Sequence, residues 1–323
     1  MIFYPCQGNA NALLLADNVN LMAADLSEFS IQSALQVLAE AYTRTALFFS
    51  RIVVIALIAI TSLFVKPIVA QSLIGASAPL QDAPELTLSC GGSTASVNGV
   101  LPVPFLVGER MEYDVKFSSL KVGVGTMEIR EIADVRGRPS WHTALSIKGK
   151  QLFFYVDILL ESWFDVASLT SRRFHQDQRY TGHRKTQTIE IFSERGMMKE
   201  DNLPERVTVA SPLDDGSFLY FVRTLPLEVG KTYSLPCYFK PDANPVKIVV
   251  VRREVVKTPA GTFNTIVLQP KIKAAGIFGE KSKAEVYLTD DAARMMVKLT
   301  SDLTVGSINL FLTKYKVGVV SRP

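Results

Sequence analysis

The chain has 323 residues, 48% of them hydrophobic and 20% charged, with a mean hydropathy of +0.19. That is too apolar for a disordered chain and too charged for a polytopic membrane protein. A net charge of +4 is too small for a nucleic-acid binder, and three cysteines with three histidines exclude a disulfide-rich scaffold and a zinc-cluster array.

In chain order, the first feature is an apolar run from Ile52 to Val65 between Arg51 and Lys66. It falls short of the roughly 20 residues that cross a bilayer as a helix and fits the core of a secretory signal. Two small-residue exits follow, Ile68-Val69-Ala70 before Gln71 and Ala76-Ser77-Ala78 before Pro79. Proline hinders the second, so cleavage is expected after Ala70. The stretch ahead of the run is long and carries Asp17, Asp25, Glu28 and Glu40, unlike a short basic leader. Three readings stay open: a true start at Met22 or later, a long leader that is still cut, or an uncut anchor that associates residues 45–70 with the membrane. Each places the remainder outside the cytoplasm, in the periplasm. Residues 1–70 are thus an N-terminal extension plus signal or anchor.

Residues 71–104 are rich in Ser, Ala, Gly, Pro and Thr and read as a flexible lead-in. Cys90 and Cys237 could pair in an oxidising compartment, but the expectation is two separate thiols. Cys90 lies too far beyond the apolar run to be a lipid-attachment cysteine.

From 105 to 318 the texture is that of one β domain. Met111, Tyr113, Val115 and Phe117 alternate with Glu112, Asp114 and Lys116, the mark of a half-buried strand. Trp141, Thr143, Leu145 and Ile147 repeat it. Further strands are expected near 121–132, 151–157, 168–179, 184–193, 204–210, 231–239, 245–257, 262–272, 281–289, 294–302 and 305–315. One segment breaks the rhythm. Asp214-Asp215-Gly216-Ser217 precedes Phe218, Phe221, Val222 and Leu225 at helical spacing, ended before Pro226. The expected fold is mainly β: a large curved antiparallel sheet, an open barrel or a sandwich, with one short helix on its concave face.

Several motifs occur in a fixed order: Val107-Gly108-Glu109-Arg110-Met111-Glu112-Tyr113, Lys121-Val122-Gly123-Val124-Gly125, Asp214 to Arg223, Leu227-Glu228-Val229-Gly230-Lys231, Thr258-Pro259-Ala260-Gly261-Thr262-Phe263, and Leu288-Thr289-Asp290-Asp291 with Val305-Gly306-Ser307. This order resembles the DUF3108 family of exported bacterial proteins of unknown function, over about 105–312. The resemblance implies a periplasmic, mostly β domain with a barrel-like open sheet, and it carries no catalytic residues. The motifs also have plain physical readings. Gly108, Gly230 and Gly261 suit turns beside strands. Tyr113 and Phe263 are expected core aromatics. Arg223, near the helix end, can meet the helix dipole or a carboxylate such as Asp165.

Chemistry is sparse. The chain holds no Gly-x-Ser-x-Gly, His-Glu-x-x-His, Cys-x-x-Cys or phosphate-cradling Gly-x-x-x-x-Gly-Lys motif. His175, His183 and Asp177 could approach across a hairpin, but the surrounding cations oppose a metal ion, and no cofactor is expected. His142 is expected to be solvated. Asp214-Asp215 and Asp290-Asp291 suit a helix cap and a turn rather than an acid–base pair. Two features could serve binding. Arg172, Arg173, Arg179, Arg184 and Lys185 form a basic hairpin that could contact anionic headgroups or an acidic partner. The apolar stretch containing Phe154 and Leu160 could line a greasy cavity on one face. The leading expectation is a non-enzymatic periplasmic binding or assembly protein that holds a lipid-like ligand in a concave sheet. The alternative is a structural envelope protein that docks protein partners by a sheet edge or the basic hairpin, with a cell-wall hydrolase third. No nucleic-acid partner is expected.

Overall fold

The structure is a computed structural model and describes residues 85–91, 103–151, 154–180, 183–273, 283–302 and 307–318. The expected signal or anchor within 1–70 lies outside the described residues.

Two antiparallel meanders build one continuous fifteen-stranded sheet. The first comprises β2 (Arg110–Phe117), β3 (Leu120–Asp134), β4 (Pro139–Gln151), β5 (Phe154–Asp165), β6 (Ser171–Tyr180), β7 (His183–Phe192), β8 (Met197–Glu200) and β9 (Arg206–Val207). The second comprises β10 (Thr232–Leu235), β11 (Val246–Thr258), β12 (Gly261–Lys271), β13 (Glu285–Thr289), β14 (Met296–Asp302) and β15 (Ser307–Lys316). Strand β15 pairs antiparallel with β2 and so joins the two meanders into one sheet. The short β1 (Glu85–Thr87) runs parallel to β10 at one edge, and β9 forms the other.

Period-two patterning sets which face is buried. In β2 every second residue, from Met111 to Phe117, is buried and the residues between are half-exposed. Register shifts interrupt the ladders at Val115/Lys116, Ile129/Glu131, Trp163/Phe164, Val250/Arg252 and Leu312/Lys314. An extra residue at such a point bends the strand and increases its twist, and the repeated bends curl the sheet around its apolar face. The sheet stays open, because its edge strands do not pair with each other. A strap after β9 spans the gap instead. Thr208 Oγ1 donates to the Phe239 carbonyl at 2.7 Å, and Ser171 N donates to the Pro212 carbonyl at 2.7 Å. Leu213 bridges in parallel to Tyr238. Strands remote in the order are thereby drawn together.

Between the meanders lies α1 (Asp215–Val222), the expected helix. It stops one turn early because the next three N–H groups, of Arg223, Thr224 and Leu225, bond three residues back rather than four.

The lead-in reading needs two corrections. Glu85–Thr87 is a strand, and Cys90 and Cys237 form a disulfide with Cα atoms 5.9 Å apart. The parallel register explains the pairing. Thr87 sits opposite Ser234, and three further residues along the chain past each of them bring Cys90 to Cys237. Two further strands depart from expectation: β5 runs on to Asp165, and β8 was not anticipated. The bond closes a loop of 147 residues of sequence separation, so it restricts the unfolded chain strongly. Replacing both cysteines with serine should cost about 2–5 kcal/mol of stability. Urea unfolding of the variant against the oxidised protein would read this directly.

Candidate functional site

The helix is fixed by its first turn. Asp214 is its N-cap: the carboxylate accepts from Gly216 N at 2.8 Å and Ser217 N at 2.9 Å, and Ser217 Oγ accepts from Asp214 N, closing a capping box. The cap also grips the sheet. Ser162 Oγ of β5 donates to Asp214 Oδ2 at 2.8 Å, and Asp214 N donates to Ser171 Oγ of β6. Gly216 lets the helix come this close, since a Cβ there would stand 2.7 Å from Ser162 Cβ. Burial drives the Asp214 pKa up to about 6, against the pull of the hydrogen bonds that Ser217 N, Ser162 Oγ and Gly216 N donate to its carboxylate.

This attachment sets α1 against β4 and β5. Its other flank faces β11 to β14 without filling the space between. An apolar cavity of about 40 Å³ remains, walled by Leu219 and Val222 of α1 and by Ile248, Leu268, Val286 and Leu288 of the sheet. Its wall is almost wholly apolar; the stem of Arg223 contributes at one end.

Arg223 secures the far end of the helix. Nη1 donates to Glu109 Oε1 at 2.6 Å and Nη2 to Glu109 Oε2 at 2.8 Å, a bidentate pair in which both side chains are buried. Nη2 also donates to the carbonyls of Ala293 and Pro104. The guanidinium packs over the rings of Phe105 and Tyr220, 5.3 and 5.6 Å from their centroids. The carboxylate partner is therefore Glu109, not Asp165, whose Oδ1 is taken by Ala167 N and Ser168 N in its own turn. Tyr113 is buried beside this pair and donates to the Met296 carbonyl at 2.9 Å; burial raises its pKa. Gly108, Gly230 and Gly261 take φ of 84, 82 and 142°, where a side chain would be strained. Phe263 is only half-buried, edge-on to Tyr315.

The other expected binding residues lie elsewhere. Leu160 is fully buried on the inner face of β5 and does not line the cavity. Phe154 begins β5, but its side chain lies outside the described ones. The basic hairpin is not a bare cationic face. Arg172 is buried and donates from Nε to the Val135 carbonyl; Arg173 pairs with Glu190 at 2.5 Å; Arg179 and Arg184 both approach Asp177. Lys185 points inward, its Nζ buried without a hydrogen-bond partner among the described residues, and burial lowers its pKa. His142 is not solvated. It stacks on Trp163 at 4.3 Å, with Glu131 and Glu161 at its two ring nitrogens. His175 Nδ1 contacts Thr188 Oγ1 at 2.9 Å, and no group of three His, Cys, Asp or Glu among the described residues could hold a metal ion. Asp291 Oδ1 accepts from Ala293 N and Arg294 N, a turn role.

Comparisons with known proteins return a family of unknown function. The model described as "Protein of unknown function (DUF3108)" matches residues 112–313. No curated protein matches in sequence. Among solved structures, a beta-barrel-like protein of domain of unknown function DUF1849 from Brucella abortus aligns at 12% identity and TM-score 0.42, covering 67% of this chain and 99% of its own. A candidate lipoprotein from Parabacteroides distasonis aligns at 10% identity and TM-score 0.30, covering 66% and 98%. A candidate exported protein with a YmcC-like fold from Bacteroides fragilis aligns at 13% identity and TM-score 0.25, again covering 66% and 98%. Likenesses this loose carry no inference about this chain's function.

Glu109→Gln should cost about 3–5 kcal/mol, because it leaves the Arg223 cation buried without its counter-charge. Replacing both residues with methionine should recover most of that loss in urea unfolding. Asp214 predicts a pH effect of defined sign. Its folded pKa of about 6 lies above its ordinary value of 3.8, so between these values the folded state holds a proton that the unfolded state has released. Stability should therefore fall as pH rises from about 4 to about 6. Asp214→Asn keeps a capping oxygen and should flatten that slope when unfolding free energy is measured across this range.

Proposed function

The chain belongs to the DUF3108 family, and we propose that it is an exported, non-enzymatic envelope protein that seats the end of an acyl-type chain beneath α1. The observation that carries this reading is the apolar cavity between the free flank of the helix and β11 to β14. A space with almost no polar wall stays dry and favours an apolar occupant over water. About 40 Å³ takes only the terminus of a chain, on the order of three water-sized groups. A longer stretch would enter by displacing the unfastened flank of α1, while the Asp214 and Arg223 attachments hold both helix ends.

Export is supported by the signal-like run from Ile52 to Val65 and by the Cys90–Cys237 bond, since structural disulfides persist in oxidising compartments. A periplasmic site, with an uncut 45–70 segment as one means of membrane attachment, fits both. A binding role without catalysis fits the use of the buried Ser162–Asp214 contact as a cap rather than as an exposed reactive pair. Partner docking through the basic hairpin draws less support, because three of its arginines are already matched by Glu190 and Asp177.

The test is lipid extraction and mass spectrometry of the chain as the cell exports it, purified without detergent. A co-purifying acyl lipid is expected, reduced at least fivefold by Val286→Phe and more mildly by Val222→Leu, with thermal stability unchanged or raised as the void fills. A lipid-free spectrum from folded protein that also fails to take up a fluorescent fatty acid would overturn the reading.

A further inference from the structure

The outer face of the sheet differs in charge from one end to the other, a feature the acyl-site reading does not use. The registers place Lys298, Phe311, Asp114, Val124, Lys148 and Asp157 in one row across β14, β15 and β2 to β5. Arg179 and Arg184 continue that row on β6 and β7. One step nearer the turn from β2 into β3 stand Lys116 opposite Lys121 and Lys150 opposite Tyr155. Leu120 opens β3 at that turn. Leu120, Val124 and Tyr155 are all exposed, standing singly among these cations.

The carboxylates at this end do not balance the cations. Lys121 pairs with Asp114 at 2.6 Å, Lys148 Nζ stands 3.8 Å from Asp157, and Arg179 and Arg184 share Asp177. Lys116, Lys150 and Lys298 make no ion pair among the described residues. Lys116 and Lys298 lie over the Phe311 ring, 5.0 and 5.9 Å from its centroid, and Lys150 is exposed. Against them stands Asp302, exposed at the end of β14. On the second meander the same end adds the exposed Lys273 and Lys283 against Asp242. Toward the other end of the outer face the charges are matched. Glu112, Glu128 and Glu161 hold Arg110 and Arg130, and Glu190 holds Arg173.

We propose that this end of the sheet docks on an anionic lipid bilayer, with Lys116, Lys148 and Lys150 among the headgroups and Leu120 and Tyr155 entering the interface. A bilayer fits better than an acidic protein for two reasons. The core of a protein interface is depleted of charge, whereas here single apolar side chains alternate with lysines. Lysine stems and a tyrosine suit a boundary that is apolar on one side and wet on the other. The second reason is the position of the apolar cavity. Val286 pairs with Leu268 next to the Tyr287–Lys298 pair, which lies at the level of the charged row. Pro270, Ile272 and Ile248 carry the cavity wall from there toward the same end. A chain leaving the bilayer would reach the cavity from the docked end; this second reason rests on the acyl-site reading, and the first does not.

Co-sedimentation of the exported chain with vesicles tests this, using phosphatidylglycerol mixed into phosphatidylcholine at about one part in four, against phosphatidylcholine alone. Binding should be about tenfold tighter to the mixed vesicles and should weaken with added salt. An uncut 45–70 segment would contribute alike to every variant. Lys116→Gln with Lys150→Gln should cost about tenfold or more. Lys257→Gln with Lys316→Gln removes the same charge from exposed positions at the opposite end and should leave binding within about twofold. Leu120→Ser should cost about threefold, a loss that persists in salt. Circular dichroism and melting temperature verify that each variant folds. The proposal is overturned if phosphatidylglycerol does not raise binding, if the two double variants bind alike, or if Leu120→Ser binds like the wild type. Docking by a lipid-free protein would remove the acyl site alone, and co-purified lipid in a protein indifferent to phosphatidylglycerol would remove the docking end alone.

Discussion

The junction at Asp214 governs the arrangement of the interior. One buried carboxylate caps α1, takes the Ser162 hydroxyl of β5 and, through its backbone N–H, reaches Ser171 of β6. These bonds satisfy donors that would otherwise be stranded at a buried helix start. They also commit the helix to one side of the curled sheet. A helix is a cylinder about 10 Å across, and one fastened against β4 and β5 cannot equally fill the curve beneath β11 to β14. The apolar void is the geometric remainder of that choice. Arg223 prevents the remainder from closing by a swing of the helix, because Glu109 and the Ala293 and Pro104 carbonyls hold the opposite end.

The placement of the ion pairs follows the same division between faces. The Glu109–Arg223 pair is buried, bidentate and ringed by Phe105 and Tyr220. In that setting its value lies in fixing geometry, since burial of both charges offsets much of their attraction. The pairs on the outer face, such as Arg130 with Glu128 and Glu161, are partly solvated and individually weak. They nonetheless order long side chains into rows across the outer face.

Local periodicity made the sheet legible and left the site obscure. Alternation in β2 identified Met111, Tyr113, Val115 and Phe117 as inward residues, and the Asp214 to Leu225 spacing identified the helix and its cap, because both signals depend only on neighbours along the chain. Glu109 and Arg223 are 114 residues apart, so no local pattern could pair them; both nevertheless stand in the ordered motifs. The disulfide depended on a parallel pairing of β1 that its three exposed residues do not announce. The basic hairpin was misread for a more instructive reason. Five cations clustered in sequence are distributed by the pleat and by the bulge at Trp163/Phe164 over two faces. That sends Arg172 and Lys185 inward, and leaves Arg173, Arg179 and Arg184 beside Glu190 and Asp177 outside. Counting charge by face rather than by segment would have shown it.

The apolar stretch of β5 shows how one strand can serve two surfaces. Val156, Ile158 and Leu160 are buried on the inner face, while Tyr155, Asp157 and Leu159 face outward. A run of consecutive apolar residues is therefore not a strand sealed on both sides here: its outer members meet charged neighbours on β4 and β6. Leu159 is half-buried opposite Ser146 and Asp177. The inner face needs β5 apolar to hold the helix-bearing core, whereas the outer face carries Asp157 opposite Lys148 and Arg179. The two demands fall on alternate residues of one stretch, and the strand's period of two lets the sequence meet them independently.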